Sequence, residues 1–237
     1  MGIDYTKRPN DPAPQAPGPQ GGQGPQGPQG PQGAPVSLSK VTLTKAAPSV
    51  SLTKHGGASG MLRVNLNWNA RPPARGLFRK NTQLDLDLGC LYEFSDGTKG
   101  VVQALGNSFR AGDRSGRDVI RLDADDRSGT NAAGENLFVD LSDPSRIKRI
   151  LVFALIYEGA ANWADAQGVA TLLPVNAAPV EIRLDDPRDG ARICAIAMIE
   201  NRAGEVVVNR LVNYIDGAQR ALDQAYGWGM NWTPGRK

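Results

Sequence analysis

Histidine is almost missing from this chain: His55 is its single copy in 237 residues. The commonest general base and the commonest imidazole metal ligand are therefore excluded as recurring themes. His55 itself lies in "KHGGASG", a glycine-rich turn sequence where an incidental role is the simpler reading. Cysteine is scarce as well. Cys90 and Cys194 each sit inside an apolar, strand-like run, which predicts two buried, reduced thiols rather than a disulfide framework. No Gly-x-Ser-x-Gly elbow, phosphate-binding loop or Cys-x-x-Cys pair occurs. A non-enzymatic protein is the expectation, with a carboxylate-based hydrolase as the one catalytic reading left. No apolar run approaches the length of a bilayer span, and "MGIDYTKRPND" lacks the apolar core of a secretory signal. A cytoplasmic protein without direct membrane insertion is expected. The net charge is only +3, with basic residues spread along the chain, so nucleic acid is not implied as a partner.

What is abundant first is proline, glycine and glutamine, gathered in "PQAPGPQGGQGPQGPQGPQGAP". Such a stretch has too little apolar surface to offset the entropy of ordering, so residues 1–35 are expected to form a disordered tail and residues 36–237 one domain. From Val36 the pattern turns to β structure. "VSLSK", "VTLTK" and "VSLTK" alternate apolar and hydroxyl residues with period two. Further strand candidates are "MLRVNLNW", "TQLDLDLGCLYEF", "GVVQALG", "DVIRL", "NLFVDL", "IKRILVFALIYEG", "GVATLLPV", "VEIRL", "ICAIAMIEN" and "EVVVNRLVNYI", separated by turn sequences such as "SDGTKG". Many short strands with such turns predict an all-β, antiparallel β-sandwich. One short C-terminal helix is expected over "GAQRALDQAYG", capped by Asp216 and ended by Gly227. Beyond it, Tyr226, Trp228 and Trp232 either seal one end of the sandwich or dock a partner.

Chemistry concentrates in "RLDADDRSGTNAAGENLFV", Arg121 to Val139, where anionic oxygens crowd between apolar flanks. Crowded carboxylates repel unless a cation sits among them, and calcium takes six to eight oxygen ligands. The alternative is a solvated acidic turn. The spacing departs from the helix-loop-helix calcium motif. Counted from Asp123, the sixth position is Ser128 and the twelfth Gly134, with Glu135 one place late. A metal site here therefore needs ligands from elsewhere. Asp85 and Asp87 in "QLDLDLG" are the best contributors, since period two places both on one strand face and Leu84, Leu86 and Leu88 on the other. That face is predicted to point to solvent or to a covering loop. The candidate ligands are Asp85, Asp87, Asp125, Asp126 and Glu135, supported by Asp123 and Ser128. "LDDPRDG", with Asp185, Asp186 and Asp189, reads as a turn, and "NARPPARGLFRKN" as a solvated basic loop.

Taken in order, "VSLTK", "VNLNWN", "DLDLGCLYEFSDGTKGVVQALGNSF", "LDADDRSGTNAAGENLFVDL", "RILVFALIYEGAANW" and "YGWGMNWTPGRK" resemble the tellurium-resistance stress proteins of the TerD-domain family, and within it the TerA branch. The likeness runs from about Val36 to Lys237. It implies a bacterial, calcium-binding β-sandwich without catalytic activity, acting in tellurite resistance and general stress response. It also implies assembly with other tellurium-resistance proteins, an integral membrane protein among them, and through that partner a peripheral place at the inner membrane face. The family's loop signature, Gly-Asp-Asn-x-Thr-Gly, corresponds to Ala124, Asp125, Asp126, Arg127, Ser128 and Gly129. The acids that the family places before the closing Glu are replaced near Ala133 and Gly134, which supports one calcium ion rather than two. The rival to the calcium reading is a metal-independent interaction module that uses the aromatic C-terminus.

Overall fold

The computed structural model describes residues 39–68, 84–123, 134–187 and 190–232. The tail expected over residues 1–35 lies outside them. So do Asp125, Asp126 and Ser128, Asp189, and the basic stretch from Arg71 to Lys80.

The period-two sequence runs form thirteen strands among the described residues. They are β1 (Val41–Thr42), β2 (Ser49–Ser51), β3 (Met61–Asn67), β4 (Asp85–Phe94), β5 (Lys99–Gln103), β6 (Arg110–Gly112), β7 (Asp118–Leu122), β8 (Glu135–Asp140), β9 (Ile147–Glu158), β10 (Gly168–Leu173), β11 (Val180–Leu184), β12 (Ile193–Arg202) and β13 (Glu205–Ile215). They build a seven-stranded sheet in the order β1-β11-β10-β3-β8-β7-β6 and a six-stranded sheet in the order β2-β13-β12-β9-β4-β5. All pairings are antiparallel except β1 with β11.

Alternation decides which side chains are buried. On β3, Leu62, Val64 and Leu66 point inward and Arg63, Asn65 and Asn67 outward. They meet Leu86, Leu88 and Cys90 of β4 and Val152, Ala154 and Ile156 of β9 in the main apolar core. Each fully buried leucine or isoleucine there contributes on the order of 1.5–3 kcal/mol of transfer free energy. A second core lies on the other face of the six-stranded sheet. Leu91, Leu151, Phe153 and Ile193 pack there against Leu222 and Trp228, from the C-terminal helix and the segment after it. The long strands β4, β9 and β12 are therefore buried on both faces, which is why they read as nearly unbroken apolar runs.

That helix, the second of two α-helices among the described residues, differs from the expectation at its start. It spans Gln219–Tyr226, and its N-cap is Ala218, with no side-chain capping bond. Asp216 is separated from it by Gly217, whose φ of +116° belongs to a turn. Gly227 does end it, in the left-handed conformation with its N–H donating to the Asp223 carbonyl. The first helix, the single turn Trp163–Ala166, was not anticipated. Its signal is local: the Asn162 side chain accepts from the Asp165 N–H, as an N-cap does. We name these helices α1 (Trp163–Ala166) and α2 (Gln219–Tyr226).

Candidate functional site

Leu84, Leu86 and Leu88 point into the main core with no exposed surface, which leaves Asp85 and Asp87 on the opposite face of β4. That face is not open to solvent. Asp85 is 7% exposed and Asp87 4%, which excludes the first of the two expected settings, open solvent or a cover. Burying carboxylates is costly unless hydrogen bonds or cations compensate. A third buried carboxylate reaches the neighbouring backbone. The ladder between β4 and β5 begins at Gly89 opposite Gln103, so β5 does not reach back to Leu88. Glu135, the first residue of β8, takes up that position. It is 1% exposed, and its Oε2 accepts a 2.6 Å hydrogen bond from the Leu88 N–H. A side chain of the seven-stranded sheet thus binds the backbone of the six-stranded sheet, one residue from Asp87.

Gly134 makes this approach possible. Its φ is +65°, and a Cβ there would run into the Leu66 carbonyl oxygen. Only glycine lets the chain enter β8 this close to β3.

The neighbouring backbone is clamped on both sides. Asn136 donates from its N–H to Asp123 Oδ1 (2.9 Å) and from its amide to Asp123 Oδ2 (2.7 Å), while Asn65 donates to Asn136 Oδ1 (3.0 Å). Asp123 therefore ties together the two ends of segment 124–133. Trp68 does the same for segment 69–83, its indole N–H donating to the Leu84 carbonyl at 3.1 Å. Of the seven candidate ligands, Asp85, Asp87 and Glu135 are brought to one edge of the sandwich, and Asp123 stands at its margin. Among the described residues, no group of three or more His, Cys, Asp or Glu side chains stands close enough to hold a metal ion. Asn65, Asn136 and Trp68 are positioning residues that sequence reasoning missed. Asn136 follows Glu135 directly, on the opposite face of the strand, and that alternation was the available signal.

Elsewhere the candidates find ordinary work. The N–H groups of Asp185 and Asp186 donate to the Tyr214 hydroxyl at 2.9 and 3.3 Å, which anchors a turn. His55 is exposed in a turn. Cys90 and Cys194 are free and buried. Burial, partly offset by a backbone hydrogen bond from Val102, pushes the Cys90 thiol up to about 12. Burial raises Cys194 in the same direction.

The aromatic C-terminus closes the outer core. Trp228 is buried, donates its indole N–H to the Tyr92 carbonyl at 3.0 Å and carries the Arg149 guanidinium 3.8 Å above its ring. Glu93 holds Arg149 and Lys148 at 2.7 Å each. Burial alone would raise the Glu93 carboxyl, but these cations and Lys99 hold it below the usual range. Trp232 stays half-buried beside a shallow groove of about 450 Å³, lined also by Lys99, Val101 and Met230.

Over 206 residues, 85% of this chain, the sequence is 40% identical to tellurium resistance protein TerA of Alcaligenes sp.. The chain is similar to TerA over most of its own length. It spans 60% of the length of that relative. No family model matches the sequence. Among solved structures, one of a protein of unknown function aligns with a TM-score of 0.50 and 16% identity, covering 68% of this chain and 92% of that one. A homologue of telluride resistance protein TerD from Streptomyces coelicolor aligns with a TM-score of 0.46 and 19% identity, over 67% and 92%. The first supports the sandwich fold. Among the described residues, no helix is long and apolar enough to cross a membrane.

Proposed function

We propose that this chain is a non-enzymatic, calcium-binding β-sandwich protein of tellurium resistance and stress response. The relationship to TerA supports the pathway. The observation that carries the metal reading is the burial of Asp85, Asp87 and Glu135 at one edge of the sandwich, where Glu135 crosses to β4. Oxygen donors without sulfur or imidazole suit a hard cation. Asp85, Asp87 and Glu135 do not by themselves stand close enough to hold an ion, so they would contribute ligands to a shell that Asp125, Asp126 and Ser128 of the adjoining segment complete, with Asp123 fixing that segment's base. Bound calcium would neutralise the acidic edge and order a surface for assembly with other tellurium-resistance proteins, a membrane-embedded one among them, from the cytoplasm.

Isothermal calorimetry tests the reading. Calcium should give saturable heat with the native chain and none with Asp87→Asn, provided that the variant melts as cooperatively as the native chain. Absence of heat at millimolar calcium would count against the site.

The groove beside Trp232 favours a second reading, a metal-independent docking module. In that case, partner capture from a tellurium-resistance operon would persist in chelator and fall with Trp232→Ala.

A further inference from the structure

The outward face of the seven-stranded sheet carries a feature that the metal reading does not use. The registers Leu173↔Arg63, Arg63↔Phe138, Phe138↔Arg121 and Arg121↔Arg110 place five residues in one row across β10, β3, β8, β7 and β6. Each belongs to the outward set of its strand, because Leu172, Leu62, Val64, Leu137, Val139, Ile120, Leu122 and Ala111 beside them are buried. Arg63, Arg121 and Arg110 are exposed, while Phe138 and Leu173 are half-buried. The Arg121 guanidinium lies 3.9 Å over the Phe138 ring. Neither Arg63 nor Arg121 forms an ion pair among the described residues, and Arg110 shares an exposed pair with Asp118 at 2.9 Å. Exposed pairs of that kind contribute little and exchange readily.

The rows on either side have a different character. One carries Glu181, Thr171, Asn65 and Asn136, with Asp123 bound at its end. The other carries Met61 and Asp140, the latter paired with Arg117 at 3.0 Å. The positive charge is thus one row wide. With strands about 4.8 Å apart, Arg63 and Arg121 stand about 10 Å from each other and Arg110 about 5 Å further along. A planar anionic surface such as a bilayer would press on the flanking carboxylates as well. A linear polyanion would not. Single-stranded nucleic acid needs free aromatic faces for its bases, and here the one ring in the row already carries a guanidinium. Peptide carboxylates match guanidinium forks in pairs, and intervening apolar side chains would meet Phe138 and Leu173.

We propose that this row is a docking strip for an extended acidic peptide segment of a partner protein, in which carboxylates and apolar residues take turns at every second position and so share one face. The fixed spacing of the three guanidiniums gives it register, and Phe138, held under Arg121, supplies the apolar contact between charges.

The test uses fluorescence anisotropy with a labelled decapeptide whose odd positions alternate glutamate and valine and whose even positions are serine, in chelator so that the metal site plays no part. The native chain should bind it saturably and lose affinity as salt rises. The double charge reversal Arg63→Glu, Arg121→Glu should weaken binding at least tenfold, and the milder pair Arg63→Gln, Arg121→Gln by a smaller factor. Lys54→Glu, a reversal on the other sheet, should leave it unchanged. Unchanged melting of the variants shows that they fold. Failure of the native chain to bind at millimolar peptide, or equal binding by the double reversal, overturns the proposal. Tighter capture of an oligo-dT strand or of phosphatidylglycerol vesicles through the same arginines overturns it too.

Discussion

Gly134 carries a disproportionate share of the site. Its φ of +65° is the left-handed region, and the Leu66 carbonyl oxygen fills the space that a Cβ would need. Gly134→Ala should therefore destabilise the fold by about 1–3 kcal/mol from backbone strain alone, read from urea denaturation. The displacement of Glu135 should appear as loss of amide protection at Leu88, whose N–H the Glu135 carboxylate now holds. An alanine variant with native stability and native exchange at Leu88 would disprove this role. The two thiols make a second prediction at this scale. Both are fully buried, and burial keeps the Cys90 thiol protonated far above neutral pH. A thiol reagent such as Ellman's should label neither cysteine in the native chain and both in denaturant. Labelling in the native state would point to an opening motion at β4 or β12.

At the scale of elements, the short helix α2 and the segment after it behave as one lid over the six-stranded sheet, and Asp223 is its fastener. Its Oδ1 accepts from the Gly229 N–H and its Oδ2 from the Met230 N–H and the Trp232 indole, each at 2.8 Å. Burial alone would raise this carboxyl. The hydrogen bonds from Met230, Trp232 and Gly229, with the charge of Lys99, outweigh it and hold the group below the usual carboxylate range. A depressed folded value means that the stabilisation is complete above the unfolded value, about 3.9, and is lost as pH falls through the folded one. Tryptophan emission should accordingly shift to the red below about pH 4. Asp223→Asn should produce the shift already at pH 7, because in either orientation its NH2 would face at least one N–H donor, at a cost of about 1–3 kcal/mol. An Asn variant with native emission would show that the lid is held by Trp228 alone. This element also shows what the sequence could and could not reveal. Strands such as β3 were legible because apolar and polar residues alternate, and β12 because it is unbroken. Three-residue β6 and one-turn α1 were too short to show a period. Sealing by the aromatic C-terminus was one of two readings open in the sequence, but what it covers could not be read, because its apolar contacts with Leu91 and Phe153 join residues far apart in the chain. The approach of Glu135 to the Leu88 N–H was hidden for the same reason, since it brings together residues of different sheets. The pairing of the two aspartates on one face, by contrast, was visible from period two alone.

For the whole molecule, the decisive link is between the acidic edge and global stability. Asp85 and Asp87 belong to the six-stranded sheet and Glu135 to the seven-stranded one, so an ion held between them would tie the two layers of the sandwich together. The unfolded chain scatters these ligands over fifty residues and has no comparable site. Binding to the native state alone stabilises by mass action, about 2.7 kcal/mol at a hundredfold excess of ligand over its dissociation constant. The melting temperature should therefore climb steadily with the logarithm of calcium concentration above that constant and fall back on adding chelator. Magnesium should give a smaller rise at equal concentration, because its strict octahedral shell and reluctance to lose water suit mixed protein oxygens poorly. Glu135→Gln separates the charge from the scaffold. Its amide oxygen can still accept from the Leu88 N–H, so the calcium-free melting temperature should change little while the calcium-dependent rise shrinks. If the rise instead survives in Glu135→Gln and in Asp87→Asn alike, calcium binds elsewhere, and the buried carboxylates serve only to join the sheets.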